Sequence, residues 1–152
     1  MKPSPLSLDN YFVTELIFSA NKAYDPSQAG ELKFDDLIVE PTCLNGEPAR
    51  HEWQVGLRLR FQPKAEANYP YTFSLELVGF FRVLSLLPAE SEERLVKTNA
   101  SSMLYGAARE IIRAATSRGP YVAIILPSVS FYALKKQENA EAAEQRKELH
   151  AN

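Results

Sequence analysis

Two long runs of alternating apolar and polar residues constrain this chain more than any other feature. Trp53, Val55, Leu57, Leu59 and Phe61 alternate with Gln54, Gly56, Arg58, Arg60 and Gln62. In a second run, Tyr71, Phe73, Leu75, Leu77, Phe81 and Val83 share one face, opposite Thr72, Ser74, Glu76 and Arg82. Strand side chains alternate between faces, so each run predicts a strand with one buried and one wet face. Pro63 and Pro70 bracket the connection, which is short enough to make the pair an antiparallel hairpin. Val78 and Phe80 interrupt the polar face at its far end and are expected to be covered by a loop or a neighbouring subunit.

The flanking sequence supplies fewer signals. Tyr11 to Ala20, rich in β-branched and aromatic residues, predicts a first strand after Ser7-Leu8-Asp9-Asn10. A polar stretch from Asn21 to Gly30 follows. A less regular extended segment from Leu32 to Val39 is interrupted at Asp35-Asp36 and stopped by Pro41. Residues 88–98 are charged and read as irregular or weakly helical. Leu104, Ala108, Ile111 and Ala115, widened by Tyr105 and Ile112, form an apolar stripe predicting a helix from Ala100 to Arg118. Asn99 is its candidate N-cap, Gly119 suits a left-handed position just past its end, and Pro120 prevents continuation. Tyr121 to Leu126 is a short apolar run ended by Pro127. A final helix is expected from near Ser130, with Phe131 and Leu134 on its apolar side. Strands first and helices second predict an α+β fold, a four-stranded antiparallel sheet with helices packed on one face. One domain is expected over residues 1–135, with residues 136–152 a polar C-terminal tail or helix extension.

Composition excludes more than it assigns. The chain of 152 residues carries a net charge of -2, too small for a field that attracts nucleic acid or anionic lipid. Its single cysteine, Cys43, rules out an intrachain disulfide and argues against a cysteine-based zinc site. No stretch approaches the roughly 20 apolar residues of a membrane helix, and no apolar leader follows Met1. The expected location is the cytoplasm. His51 and His150 have no carboxylate partner at any motif spacing and read as loop or surface residues. Phosphate-cradling glycine loops, GxSxG and HExxH are absent. No catalytic residue, cofactor or metal is expected. Arg58, Arg60 and Arg82 line the wet face as a basic strip, read as an ordinary solvated face that includes Glu76.

Three short motifs carry a family likeness. Ala108-Arg109-Glu110, Ser117-Arg118-Gly119 and Leu126-Pro127-Ser128-Val129-Ser130-Phe131 occur in order, without gaps from Leu104 to Phe131. In this the chain resembles the SecB family. Its opening, Ser7-Leu8-Asp9-Asn10-Tyr11-Phe12 through Phe18, is similar to that family's first strand.

The resemblance implies an ATP-independent chaperone, a holdase that binds unfolded polypeptides, for Sec-dependent export or as keeper of an antitoxin. It implies a homotetramer with helices sandwiched between sheets. It also implies client grooves walled by the loop after the first strand and by the final helix. By position, Tyr24, Leu32, Phe34, Phe131, Tyr132 and Leu134 are the candidate client-binding residues. Family members dock the SecA motor through carboxylates on the outer sheet face. Here Ser74 stands where a glutamate is found in the family, and Glu76 follows among arginines. Arg58, Arg60, Ser74 and Glu76 are therefore the candidate docking positions, for SecA or for a different partner. A ligand-binding domain on the same scaffold is the competing reading.

Overall fold

Both alternating runs form strands. The protein is described by a computed structural model over residues 3–47, 49–64 and 66–131. Its elements are β1 (Leu6–Ala20), β2 (Leu37–Glu47), β3 (Glu52–Phe61), β4 (Tyr71–Val83) and α1 (Ala89–Thr116). All strand pairings are antiparallel, and the order across the sheet is β1-β4-β3-β2. β3 and β4 form the expected hairpin, with Leu57 opposite Leu77 and Phe61 opposite Phe73. Because opposed residues share a face, the two apolar sets make one continuous inner surface. Leu57, Leu59, Phe61, Tyr71, Leu75 and Leu77 on that surface have no exposed area. Each such side chain contributes about 1.5–3 kcal/mol by leaving water.

Helix α1 covers this surface. Val96, Ala100, Leu104, Ala108 and Ile112 are fully buried, while Ile111 is only partly buried beside the core. The buried stripe therefore runs one residue away from the Ile111–Ala115 line and reaches farther back along the chain. Residues 88–98, read from sequence as irregular or weakly helical, are its first turns rather than a connection. Glu90 and Glu92 lie in the first turn, where carboxylates favour the positive end of a helix. Asn99 is consequently mid-helix rather than at its N-terminus. Charge without an obvious apolar period hid these turns.

The sheet edges also differ from expectation. β1 begins at Leu6, not Tyr11. β2 begins at Leu37 and passes through Pro41, with a register shift between Pro41 and Cys43. A proline is tolerated there because β2 is an edge strand with one unpaired side. Residues 32–36 are therefore loop. This loop is part of a crossover from one sheet edge to the other. It is tied to the β3–β4 connection: the Asn21 N–H donates to Pro70 O at 2.8 Å, and Asn21 Nδ2 donates to Tyr69 O at 2.8 Å. The Asp25 N–H donates to Asn68 Oδ1 at 2.9 Å, and Asn68 Nδ2 returns a bond to Asp25 O.

Gly119 is not left-handed, since no glycine has a positive φ among the described residues. Its requirement is space: a Cβ there would lie 2.5 Å from the Tyr71 hydroxyl. After it the chain turns back along α1 as an extended segment without strand partners. Of the final helix expected from near Ser130, Ser130 and Phe131 are described and are not helical, and the rest lies outside the described residues.

Candidate functional site

The crossover loop and the returning segment face each other over a cleft of about 750 Å³. Tyr24, Leu32 and Phe34 line it from the loop, Phe61 from β3, and Val122 to Ile125 from the returning segment. The floor is aromatic. Phe34 lies 5.4 Å from Phe61, which stacks on Phe73 at 5.6 Å. Tyr24 meets Tyr121 edge-on at 4.8 Å. Glu31, Lys33, Asp35 and Asp36 also line the cleft. An apolar floor with charged margins suits an apolar guest whose ends stay wet.

The returning segment is held by side chains rather than by a sheet. The Tyr71 hydroxyl accepts from the Tyr121 N–H at 2.8 Å and donates to Tyr121 O at 3.0 Å. Thr116 Oγ1 accepts from the Ile124 N–H at 2.9 Å. Arg109 Nε donates to Leu126 O at 3.1 Å, and the Tyr105 hydroxyl to Pro127 O at 2.7 Å. Burial holds the Tyr105 phenol above its ordinary pKa, with Arg109 pulling the other way, so it remains the protonated donor. Ile124 and Leu126 point into the core, whereas Val122 is 82% and Ile125 71% exposed.

The sequence candidates divide accordingly. Tyr24, Leu32 and Phe34 come together at the cleft. Phe131 lies elsewhere, 6% exposed and edge-on to Tyr105 at 6.0 Å. Tyr132 and Leu134 lie outside the described residues. Tyr121, Val122, Ile125 and Phe61 were not among the candidates. The run from Tyr121 to Leu126 carried a usable signal, since apolar residues between two prolines belong to no regular element.

The outer sheet face has two halves. At one end Arg58 donates from Nε and Nη2 to Glu76 Oε2 at 3.0 and 2.7 Å, with Glu40 at 3.6 Å. These partners raise the Arg58 pKa further, the Glu76 hydrogen bond foremost. Ser74 donates to Glu15 Oε1 at 2.6 Å, which places a β1 carboxylate over it. Arg60 lies opposite Ser74. At the other end Arg82 is bound by Asp9 at 2.7 and 2.9 Å. Arg58 and Arg82 are thus ion-paired, and with Glu15 and Glu40 also on this face the strip is not a basic patch. Between the two ends, Phe12 and Phe80 meet edge-on at 5.9 Å and are 54% and 39% exposed. No loop among the described residues covers Phe80.

His51 has a partner that motif spacing could not reveal. Its Nδ1 is 2.7 Å from Glu92 Oε2, across the chain in α1. No helix of the described residues is long and apolar enough to cross a membrane, and no group of three or more potential metal ligands occurs among them.

Comparison with known proteins agrees with this geometry. The SecB family profile, described as preprotein translocase subunit SecB, matches residues 5–142. The protein-export protein SecB of Afipia carboxidovorans is 26% identical over 151 residues, 99% of this chain and 92% of that protein. SecB of Rhodopseudomonas palustris is 31% identical over 96 residues, 63% of this chain and 60% of that protein. Among solved structures, a Mycobacterium tuberculosis SecB-like chaperone, in complex with a ChAD peptide from the HigA1 antitoxin, aligns with a TM-score of 0.59. It has 20% identity and covers 83% of this chain and 91% of that one. With a profile match spanning nearly its whole length and a sheet-plus-helix fold shared with a SecB-like chaperone, this chain belongs to the SecB family.

Proposed function

We propose that the protein is an ATP-independent holdase that keeps unfolded polypeptides from aggregating. The observation that carries this reading is the cleft between the crossover loop and the returning segment. Its floor is aromatic and its outer wall exposes Val122 and Ile125 to solvent. Exposed apolar surface of this kind marks an interaction site, and an aromatic, adaptable surface accepts many apolar sequences. The working form is a homotetramer in the cytoplasm. Support for assembly comes from β1, an edge strand with Tyr11, Phe12, Val13, Leu16 and Ile17 all exposed on its two faces.

The second reading is a dedicated client. The mycobacterial SecB-like chaperone of similar fold is in complex with a peptide from an antitoxin, and on the outer face of this chain two carboxylates that a docking partner would use, Glu76 and Asp9, are already ion-paired with Arg58 and Arg82.

The test is light scattering from a denatured test protein diluted into buffer with and without the chain, in the absence of nucleotide. Suppression near one tetramer per client supports a general holdase. No suppression at several-fold excess of folded chain removes that role and leaves the dedicated client.

A further inference from the structure

The two walls of the cleft are joined by two residues that do not line it. The Tyr121 hydroxyl donates to Asn21 O at 3.1 Å, across 100 positions of sequence. Among the described residues this is the one hydrogen bond between the crossover loop and the returning segment. Tyr121 is itself fixed, since the Tyr71 hydroxyl holds both its N–H and its C=O. Its ring meets Tyr71 at 5.7 Å and Tyr24 at 4.8 Å. Asn21 is fixed from the other side. Its N–H donates to Pro70 O, Nδ2 donates to Tyr69 O, and Oδ1 accepts from the Ala23 N–H at 3.0 Å. Its carbonyl takes a second bond, from the Tyr24 N–H at 3.1 Å. Among the described residues, every hydrogen bond from positions 21–33 to another part of the chain is made by Asn21 or Asp25.

We infer that Tyr121 and Asn21 are positioning residues: their hydrogen bond pins the loop wall to the segment wall and sets how far the cleft opens. This deepens the holdase reading and rests on it. A phenylalanine at 121 would supply the same ring contacts, and the hydroxyl adds the bond to Asn21 O. Neither wall needs that bond to stay on the fold. Tyr71 and Thr116 hold the segment to β4 and α1, and Asn68 holds the loop to the β3–β4 connection. What the bond fixes is the spacing between the walls. A loop released from it samples wider openings, and apparent affinity falls with the fraction of time the walls are correctly spaced. Walls held in place also leave less ordering for the client to impose.

The test compares the full chain with Tyr121→Phe, which keeps the ring, and with Asn21→Ala, which keeps the carbonyl but frees it from Tyr69. The probe is fluorescein-labelled, reduced and carboxymethylated lysozyme, which cannot refold. Stopped-flow anisotropy gives its association and dissociation rates, and amide hydrogen exchange reads the loop. For Tyr121→Phe the expected association rate is lower by about 2- to 10-fold, the weight of one hydrogen bond. Dissociation stays within about two-fold of the parent, because the bound state has its walls correctly spaced in both. The Tyr24 amide, which shares Asn21 O, exchanges faster, while the Ile124 amide, held by Thr116, does not change. Asn21→Ala slows association in the same way. A loss of stability alone would leave the association rate of the folded chain unmoved. Faster dissociation with association unchanged overturns the proposal, because the hydroxyl is then a client contact. Association at the parent rate in both variants overturns it too, even with faster exchange at Tyr24, because the bond then does not set the cleft. If the parent itself fails to bind the probe at several-fold excess, the holdase reading falls and the positioning role falls with it.

Discussion

His51 Nδ1 lies 2.7 Å from Glu92 Oε2, although 41 positions separate the two residues in sequence. The other oxygen, Glu92 Oε1, accepts from Trp53 Nε1 at 2.7 Å. The carboxylate is almost completely buried and the imidazole about one-third exposed. His51 sits in the β2–β3 turn with φ 56°, an uncommon conformation for a non-glycine residue. This contact ties the first turn of α1 to the end of the sheet.

Substitution of Glu92 by Ala strands the Trp53 donor in the interior and frees His51. The expected loss is about 2–4 kcal/mol, from one buried unsatisfied donor and a small cavity. A double-mutant cycle in urea with His51→Ala is expected to give a coupling of about 1 kcal/mol or more. Additive single effects would mean that the contact does not hold the helix start.

Gly119 and Tyr71 make a second close relationship. A Cβ at 119 meets Tyr71 Oη, Cε1 and Cζ at 2.5, 2.6 and 2.8 Å, and Tyr71 is fully buried with no room to yield. Gly119→Ala is expected to cost about 1–3 kcal/mol as an overpacked site. Tyr71→Phe should not rescue it, because the ring carbons remain in the way. Thermal unfolding of the two single variants and the double variant decides this. Rescue by Phe would place the conflict at the hydroxyl alone.

The sheet was legible because its signal is local. Leu57 and Leu77 declare their common face by alternation within their own strands, and Pro63 and Pro70 mark the hairpin. What could not be read depends on distant partners. His51 looked like a lone loop histidine because Glu92 reaches it only after the chain has crossed the sheet twice more. The first turns of α1 looked irregular because their buried positions include Glu92 and Thr98, both polar. At the cleft, the loop residues Tyr24, Leu32 and Phe34 were reached through family position. Val122 and Ile125 were missed because extended segments pinned by scattered side chains have no period to recognise.

On the outer face, the Arg82 hydrogen bonds hold the Asp9 carboxyl below its ordinary value. A depressed carboxylate contributes stability above its unfolded value of about 3.9, and that contribution is lost as pH falls through the lower folded value. Arg82→Gln is therefore expected to lower the unfolding midpoint slightly at pH 7. The gap from the parent should close as pH drops below about 4, and should shrink with added salt because the pair is exposed. Carboxyl NMR should show Asp9 returning to ordinary titration in the variant. An unchanged Asp9 titration would mean that Arg82 is not its partner in solution.

Val122 and Ile125 separate stability from function most cleanly. Both side chains lie largely in water, so Val122→Asp and Ile125→Asp should change unfolding free energy by no more than about 0.5 kcal/mol. Each nevertheless places a carboxylate on the wall of the cleft that Tyr24, Phe34 and Phe61 also line, where an apolar client segment would have to desolvate it. The double variant is expected to keep its helix and sheet signal by circular dichroism and its oligomeric size, yet to lose most of its suppression of aggregation. Glu76→Ala on the opposite face should leave suppression intact, because Arg58 and Glu76 face away from the cleft. If the aspartate variant suppresses aggregation as well as the parent while the outer-face variant does not, clients bind the sheet surface around Phe12 and Phe80 instead, and the cleft is not where they are held.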